Sequence, residues 1–137
     1  MRGLVPAASL VLMATGGAAA QTSVPLDEVR SIQTGVYTVE QARRGEQVYR
    51  DVCSNCHLPD WFSQSFLQSW SGNTAAALFE LVRTTMPEDR PGALKRQQYV
   101  DMLAYIFELN GVPPGEDEMP SRKRALEAIL IEMASAR

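Results

Sequence analysis

The chain has 137 residues, 45% of them apolar, and a formal net charge of −3 from 13 basic and 16 acidic residues. That is room for one small domain with extensions, and the acidic balance speaks against nucleic acid and anionic membrane surfaces as partners. Two cysteines and one histidine fall short of the four ligands that a closed structural zinc site needs.

The first twenty residues stand apart. Arg2 supplies a minimal positive region, Leu4 to Met13 an apolar one, and Ala18-Ala19-Ala20 a small-residue cleavage site. This is the pattern of a secretory signal peptide over 1–20, with Gln21 as the mature N-terminus. An uncleaved anchor is the rival, but Pro6, Gly16 and Gly17 interrupt the stretch, and a spanning helix needs about 20 apolar residues. No cysteine lies near the cut to take a lipid. Without Arg2, 12 basic residues face 16 acidic ones, a mature charge of about −4. The expectation is export to a bacterial periplasm, with no stable membrane insertion after cleavage. Residues 21–37 contain Pro25, Gly35 and few periodic apolar positions, and read as an N-terminal arm.

Thr38 is an N-cap candidate, with Gln41 three residues on to complete a capping box. A helix from about Val39 to Val52 then places Ala42, Gly45, Val48, Tyr49 and Val52 at helical spacing. Gly45 costs about 1 kcal/mol inside a helix, which a close approach by another helix would offset.

Next comes Cys53-Ser54-Asn55-Cys56-His57, a C-x-x-C-H run that reads as a c-type haem attachment site. Each thiol adds to one haem vinyl group, and the two intervening residues let both sulfurs reach neighbouring vinyls. The following histidine then lies under the porphyrin, where a neutral imidazole nitrogen can bind iron. Three rivals are a thioredoxin-like redox pair, which belongs near a βαβ pattern that is not seen here, a zinc site, and a structural disulfide beside an accidental histidine. An oxidising compartment tolerates exposed thiols only when they are paired or consumed, and thioether formation consumes both.

Leu58-Pro59-Asp60 forces a loop, where a carbonyl is expected to accept the second imidazole N–H. Trp61, Phe62, Phe66, Leu67 and Trp70 follow as an apolar cluster of weak periodicity. It suits a haem wall or ordinary core, with Trp70 as the preferred contact to a propionate. Ser71-Gly72-Asn73-Thr74 is a turn and capping cluster, and a short helix from about Ala75 to Arg83 buries Leu78, Phe79 and Val82. Pro87 keeps Met86 out of helical conformation, so Met86 stands on a loop that runs on through Glu88 to Gly92. The clearest helix spans about Leu94 to Leu109, with Tyr99, Met102, Leu103, Ile106 and Leu109 on one face and Asn110-Gly111 as its stop. After the acidic patch Glu116-Asp117-Glu118, a last amphipathic helix from Ser121 to about Ala134 carries Leu126, Ile129, Leu130 and Met133. Its basic first turn, Arg122-Lys123-Arg124, opposes the helix dipole.

With no second histidine, methionine is the natural sixth ligand for an electron carrier. Met1 and Met13 leave with the signal, Met102 sits mid-helix, and Met119 and Met133 lie in the tail. Met86, on its loop, is the candidate; filling a core gap is the alternative role.

From Tyr37 to Gly115 these residues resemble a class I c-type cytochrome. Gly45 and Tyr49 before the Cys53–His57 run are similar to that family's N-terminal helix, and Met102 and Tyr105 fall where its C-terminal helix packs. Met86-Pro87, Pro91-Gly92-Ala93-Leu94 and Ala104-Tyr105-Ile106 resemble the small bacterial monohaem members. The resemblance implies an all-α cytochrome c fold around one haem c attached through Cys53 and Cys56, with His57 and Met86 as iron ligands. The helix after Pro120 departs from that pattern, which divides the chain into a domain over 38–115 and an extension over 116–137.

The expected function is that of a periplasmic monohaem electron carrier cycling Fe(III) and Fe(II), not an enzyme, since no activated nucleophile or acid–base pair accompanies the haem. Its partners are expected to be redox proteins: a dehydrogenase, reductase or oxidase. The alternatives are a dedicated electron-transfer subunit of a larger periplasmic dehydrogenase or oxidase, resembling the modules that accompany quinoprotein dehydrogenases, and an open-site haem enzyme or gas sensor.

Overall fold

The computed structural model describes residues 28–133; the signal peptide and cleavage site expected over 1–20 lie outside the described residues. The chain runs β1 (Arg30–Ser31), a 3-10 turn (Ile32–Thr34), α1 (Val39–Val48), a π turn (Tyr49–Cys53), a 3-10 turn (Pro59–Phe62), α2 (Gln64–Ser69), α3 (Ala75–Thr85), α4 (Arg96–Leu109), α5 (Lys123–Glu127) and β2 (Ile129–Leu130). Among the described residues no helix is long and apolar enough to cross a membrane.

Thr38 caps α1 as expected, its hydroxyl accepting from the Gln41 N–H at 3.1 Å. The reciprocal half of the capping box does not form. The buried Gln41 amide turns instead to Met119, accepting from its N–H at 2.7 Å and donating to its carbonyl at 2.9 Å.

α1 and α4 cross at Gly45. A Cβ there would collide with the Asp101 carbonyl and come within 2.9 Å of Tyr105 Cβ, so the approach is open to glycine alone and offsets its propensity cost. Arg44 fastens the crossing. Its Nε and Nη2 each lie 3.1 Å from the Asp101 carboxylate, while Nη1 and Nη2 lie 2.8 Å from that of Glu118. Asp101 is buried, and Gln97 Nε2 donates to it at 2.8 Å; a carboxylate out of water is tolerated when its oxygens are met in this way.

α4 is enclosed rather than amphipathic. Every residue from Tyr99 to Phe107 is buried, whereas Leu109, placed on the buried face by the sequence pattern, is exposed. Neighbours on several sides account for this: Tyr49 of the π turn lies against Tyr105, Phe79 of α3 against Tyr99, and Tyr37 against Phe107.

Both flanking segments belong to the same core. In the stretch read as an arm, Ile32, Val36 and Tyr37 are buried; in the extension Met119, Leu126, Ile129 and Ile131 are buried. The helix expected from Ser121 to about Ala134 is corrected, because α5 covers only Lys123–Glu127. Ile129–Leu130 pair in parallel with β1 instead, Arg30 opposite Ile129 and Ser31 opposite Leu130. Ile131 continues the connection, donating to the Asn73 carbonyl at 2.8 Å and accepting from the Gly72 N–H at 2.9 Å. The Ile-Leu-Ile run favours extended backbone, and unpaired groups at 30–31 and 72–74 give it partners that a helix with an unfavourable first turn cannot match.

Candidate haem site

α1 does not stop where its α-helical bonding ends. It widens into the π turn, closed by the Ser54 N–H donating to the Tyr49 carbonyl at 2.8 Å; single π turns of this kind are frequent at functional sites. One more turn follows, with the Cys56 and His57 N–H groups both donating to the Cys53 carbonyl, at 3.1 and 2.9 Å. Cys53, Cys56 and His57 are thereby held on one winding of backbone, rooted in the helix that crosses α4.

Both thiols are free; Cys53 is half-buried and Cys56 exposed. Burial pushes the Cys53 thiol up from its ordinary pKa. The Tyr49 hydroxyl, from the π turn, donates to the His57 carbonyl at 2.8 Å. Among the described residues the imidazole makes ring contacts, stacked on Trp61 with centroids 4.5 Å apart and edge-on to Phe62 at 5.6 Å. The acceptor expected from the 58–60 loop is not what the ring meets here.

The cluster at 61–70 folds as the 3-10 turn and α2. Phe62 lies edge-on to both Trp61 and Phe66, and its carbonyl accepts from Asn110 Nδ2 at 2.7 Å. Asn110 is the C-cap of α4, so the end of α4 holds the segment that follows the histidine. Trp70, the preferred propionate contact, is the C-cap of α2 and is partly buried against the core.

Met86 is the C-cap of α3, in extended conformation at φ −123° and ψ 149°, as the following proline requires. Its N–H donates to the Val82 carbonyl at 2.8 Å, and its carbonyl accepts from the Tyr99 hydroxyl at 2.8 Å. The Met86–Pro87 peptide is cis. Met102 and Met119 are fully buried, Met102 within α4, whereas Met86 is half-buried on its loop. The structure thus gathers Cys53, Cys56 and His57 on one backbone turn and holds Met86 on a separate loop. α4 reaches the segment after the histidine through Asn110 and Phe62, and Met86 through Tyr99 near its start.

Tyr99 and Asn110 make backbone contacts, to Met86 and Phe62, that the sequence reading missed, since both look like ordinary helix packing or a helix stop. Their spacing does not reveal which carbonyls they reach.

The donor chemistry fits a covalently held haem. It consists of two free thiols on one turn, a half-exposed imidazole beside them and a half-exposed thioether on a loop. Leu58 and Trp61 flank the motif at 74% and 55% exposure, leaving apolar surface beside His57 that a planar macrocycle would cover. The rivals lack corresponding features. Both sulfurs are free, no group of three or more His, Cys, Asp and Glu among the described residues is arranged to hold a metal ion, and the strands are two-residue pairings rather than a βαβ unit.

The helical architecture and the thiol–imidazole turn are consistent with a c-type cytochrome domain, all-α in fold, a class that carries covalent haem and transfers electrons to and from redox partners. Residues 40–106 match the family model described as cytochrome c oxidase, cbb3-type, subunit III. The match runs from the start of α1, through the Cys53–His57 turn and the Met86 loop, into α4. No curated protein and no solved structure matches the chain.

Proposed function

We propose that this is a periplasmic monohaem cytochrome that carries single electrons between redox proteins, with His57 and Met86 as the axial ligands of one haem c bound through Cys53 and Cys56. The observation that carries the proposal is the C-x-x-C-H turn together with one half-buried loop methionine, whose carbonyl the Tyr99 hydroxyl of α4 holds. Bound haem supplies the Fe(III)/Fe(II) couple, and His/Met ligation favours a raised potential. The chain's own part is to hold two donors in place while the electron arrives and leaves. Tyr49 fixes the backbone of His57, Tyr99 fixes that of Met86, and the buried Phe62 ring gives the imidazole an apolar neighbour. Signal cleavage after Ala20 and export complete the proposal.

The ferric absorption spectrum of protein matured with a c-haem assembly system tests it. Wild type is expected to show the weak far-red band of methionine–iron bonding, and Met86→Ala to lose it. A wild-type protein without that band and with high-spin ferric iron would overturn Met86 ligation and bring the open-site haem enzyme or sensor forward.

A second reading, a dedicated electron-transfer subunit of a larger dehydrogenase or oxidase, is favoured by the oxidase-subunit description of the matching family. Gel filtration of a native extract separates the two: a free carrier elutes near its own mass, a subunit with its enzyme.

A further inference from the structure

The loop that carries Met86 begins at the end of α3 and ends near Leu94, just before α4. Internal bonds shape it, Arg90 N–H to the Pro87 carbonyl at 2.9 Å, Ala93 N–H to the Arg90 carbonyl at 3.1 Å and a long one from Gly92 N–H to the Met86 carbonyl at 3.4 Å, but these do not tie it to α4. One hydroxyl does. Tyr99 Oη donates to the Met86 carbonyl at 2.8 Å and accepts from the Leu94 N–H at 3.4 Å, so it touches both ends of the loop. The Tyr99 ring is 1% exposed and sits edge-on to Phe79, centroids 6.2 Å apart at 86°. It rises from the first turns of α4, the helix locked to α1 at Gly45 and by Arg44.

Resting on the ligation reading above, we infer that Tyr99 is the positioning residue for Met86, a staple that closes the ligand loop and slows departure of its thioether from iron. A neutral thioether is a weak ligand and is held largely by pre-organisation. Closing a loop by a bond at its base restricts the excursions open to the residues between. Met86 is one of those base residues, so loss of the hydroxyl frees the backbone that aims its side chain. The fold should survive, because Phe keeps the ring against Phe79. The Met86 and Leu94 backbone groups lie in part-exposed residues, where water can replace the lost partner.

The test compares ferric holoprotein of wild type, Tyr99→Phe and Tyr37→Phe, with Met86→Ala as reference, following uptake of imidazole by stopped flow together with the far-red band. Tyr37→Phe is the matched control, since its hydroxyl also donates from a buried ring to a carbonyl, that of Val112 at 2.6 Å, but on a segment away from Met86. Tyr99→Phe is expected to keep the band and take up imidazole about five- to tenfold faster than wild type, the worth of one hydrogen bond. Tyr37→Phe is expected to react at the wild-type rate. A wild-type rate in Tyr99→Phe with the band intact would overturn the staple alone. Equal acceleration by Tyr37→Phe would also overturn it, showing general loosening. A wild type that lacks the band and reacts as fast as Met86→Ala would overturn the ligation reading and the staple together.

Discussion

Tyr37 shows what one buried side chain does in this molecule. Its phenol is covered, donates to the Val112 carbonyl and has a pKa pushed up to about 12, first by burial and then by the charge of Glu108. An unfolded tyrosine ionises near 10. The unfolded chain therefore releases this proton first as pH rises, and linkage takes stability from the fold. The contribution is complete below pH 10 and is lost between about pH 10 and 12. Thermal unfolding followed by far-UV circular dichroism should show wild type losing more stability than Tyr37→Phe across that window, although the variant starts lower. Parallel pH profiles for the two proteins would refute the assignment. Gln41 makes a related point. Sequence spacing assigns its amide to its own helix, but a distant backbone segment, Met119, offers both a donor and an acceptor at once, and two well-aligned bonds in a buried site outcompete one at a helix end.

Among the elements, α1 and α4 set the frame. Their contact passes through the Gly45 position with no room for a methyl group, so Gly45→Ala must push the helices apart despite alanine's better helix propensity. Overpacking of this kind costs about 1–3 kcal/mol, and the expected result is a lowered melting temperature of the holoprotein. A rise in melting temperature would mean that propensity dominates and the close crossing does not hold. Capping behaves more locally. Thr74 accepts from the Ala77 N–H at 3.2 Å at the start of α3, as the Ser71–Thr74 cluster foretold, and Thr74→Ala should cost about 1 kcal/mol, read by the same melts. The π turn is different in kind. A helical pattern extends through Val52, and nothing in residue spacing distinguishes an i+4 from an i+5 bond there. Both ends of the π turn meet the core, Tyr49 buried in it and Cys53 packed against it.

At the scale of the whole molecule, the two ends of the described residues are structural. β1 and β2 join the two termini of the described chain, and residues 119–131 bury Met119, Leu126, Ile129 and Ile131 against the domain. Four such side chains correspond to roughly 6 kcal/mol or more of burial, comparable with the 5–15 kcal/mol by which domains are stable at all. Truncation after Gly115 is therefore expected to give holoprotein that unfolds in far less denaturant, or fails to accumulate. A truncated protein with the wild-type denaturation midpoint would show that the extension only rests on the surface. The proposed haem ligands are organised at this scale too. α1 leads into the His57 turn and α3 into Met86, while α4 reaches the Phe62 carbonyl through Asn110 and the Met86 carbonyl through Tyr99.

The sequence by itself determined the chemistry and the local structure. Cys53, Cys56 and His57 lie within five residues, so their partnership is covalently enforced and legible without a fold. Thr38, Thr74, Pro87 and Asn110-Gly111 act on neighbouring backbone, and the helix boundaries they imply appear within a few residues. Tertiary structure alone decided what depends on distant partners: the Gln41–Met119 pairing, the burial of α4 on several sides, the strand in place of a long last helix, and the hydroxyl of Tyr99 on the Met86 loop. In each case the deciding energy is a hydrogen bond or an apolar contact between segments that are not neighbours in the chain. Residue type and periodicity record that a side chain can make such a contact, and only packing selects the partner that receives it.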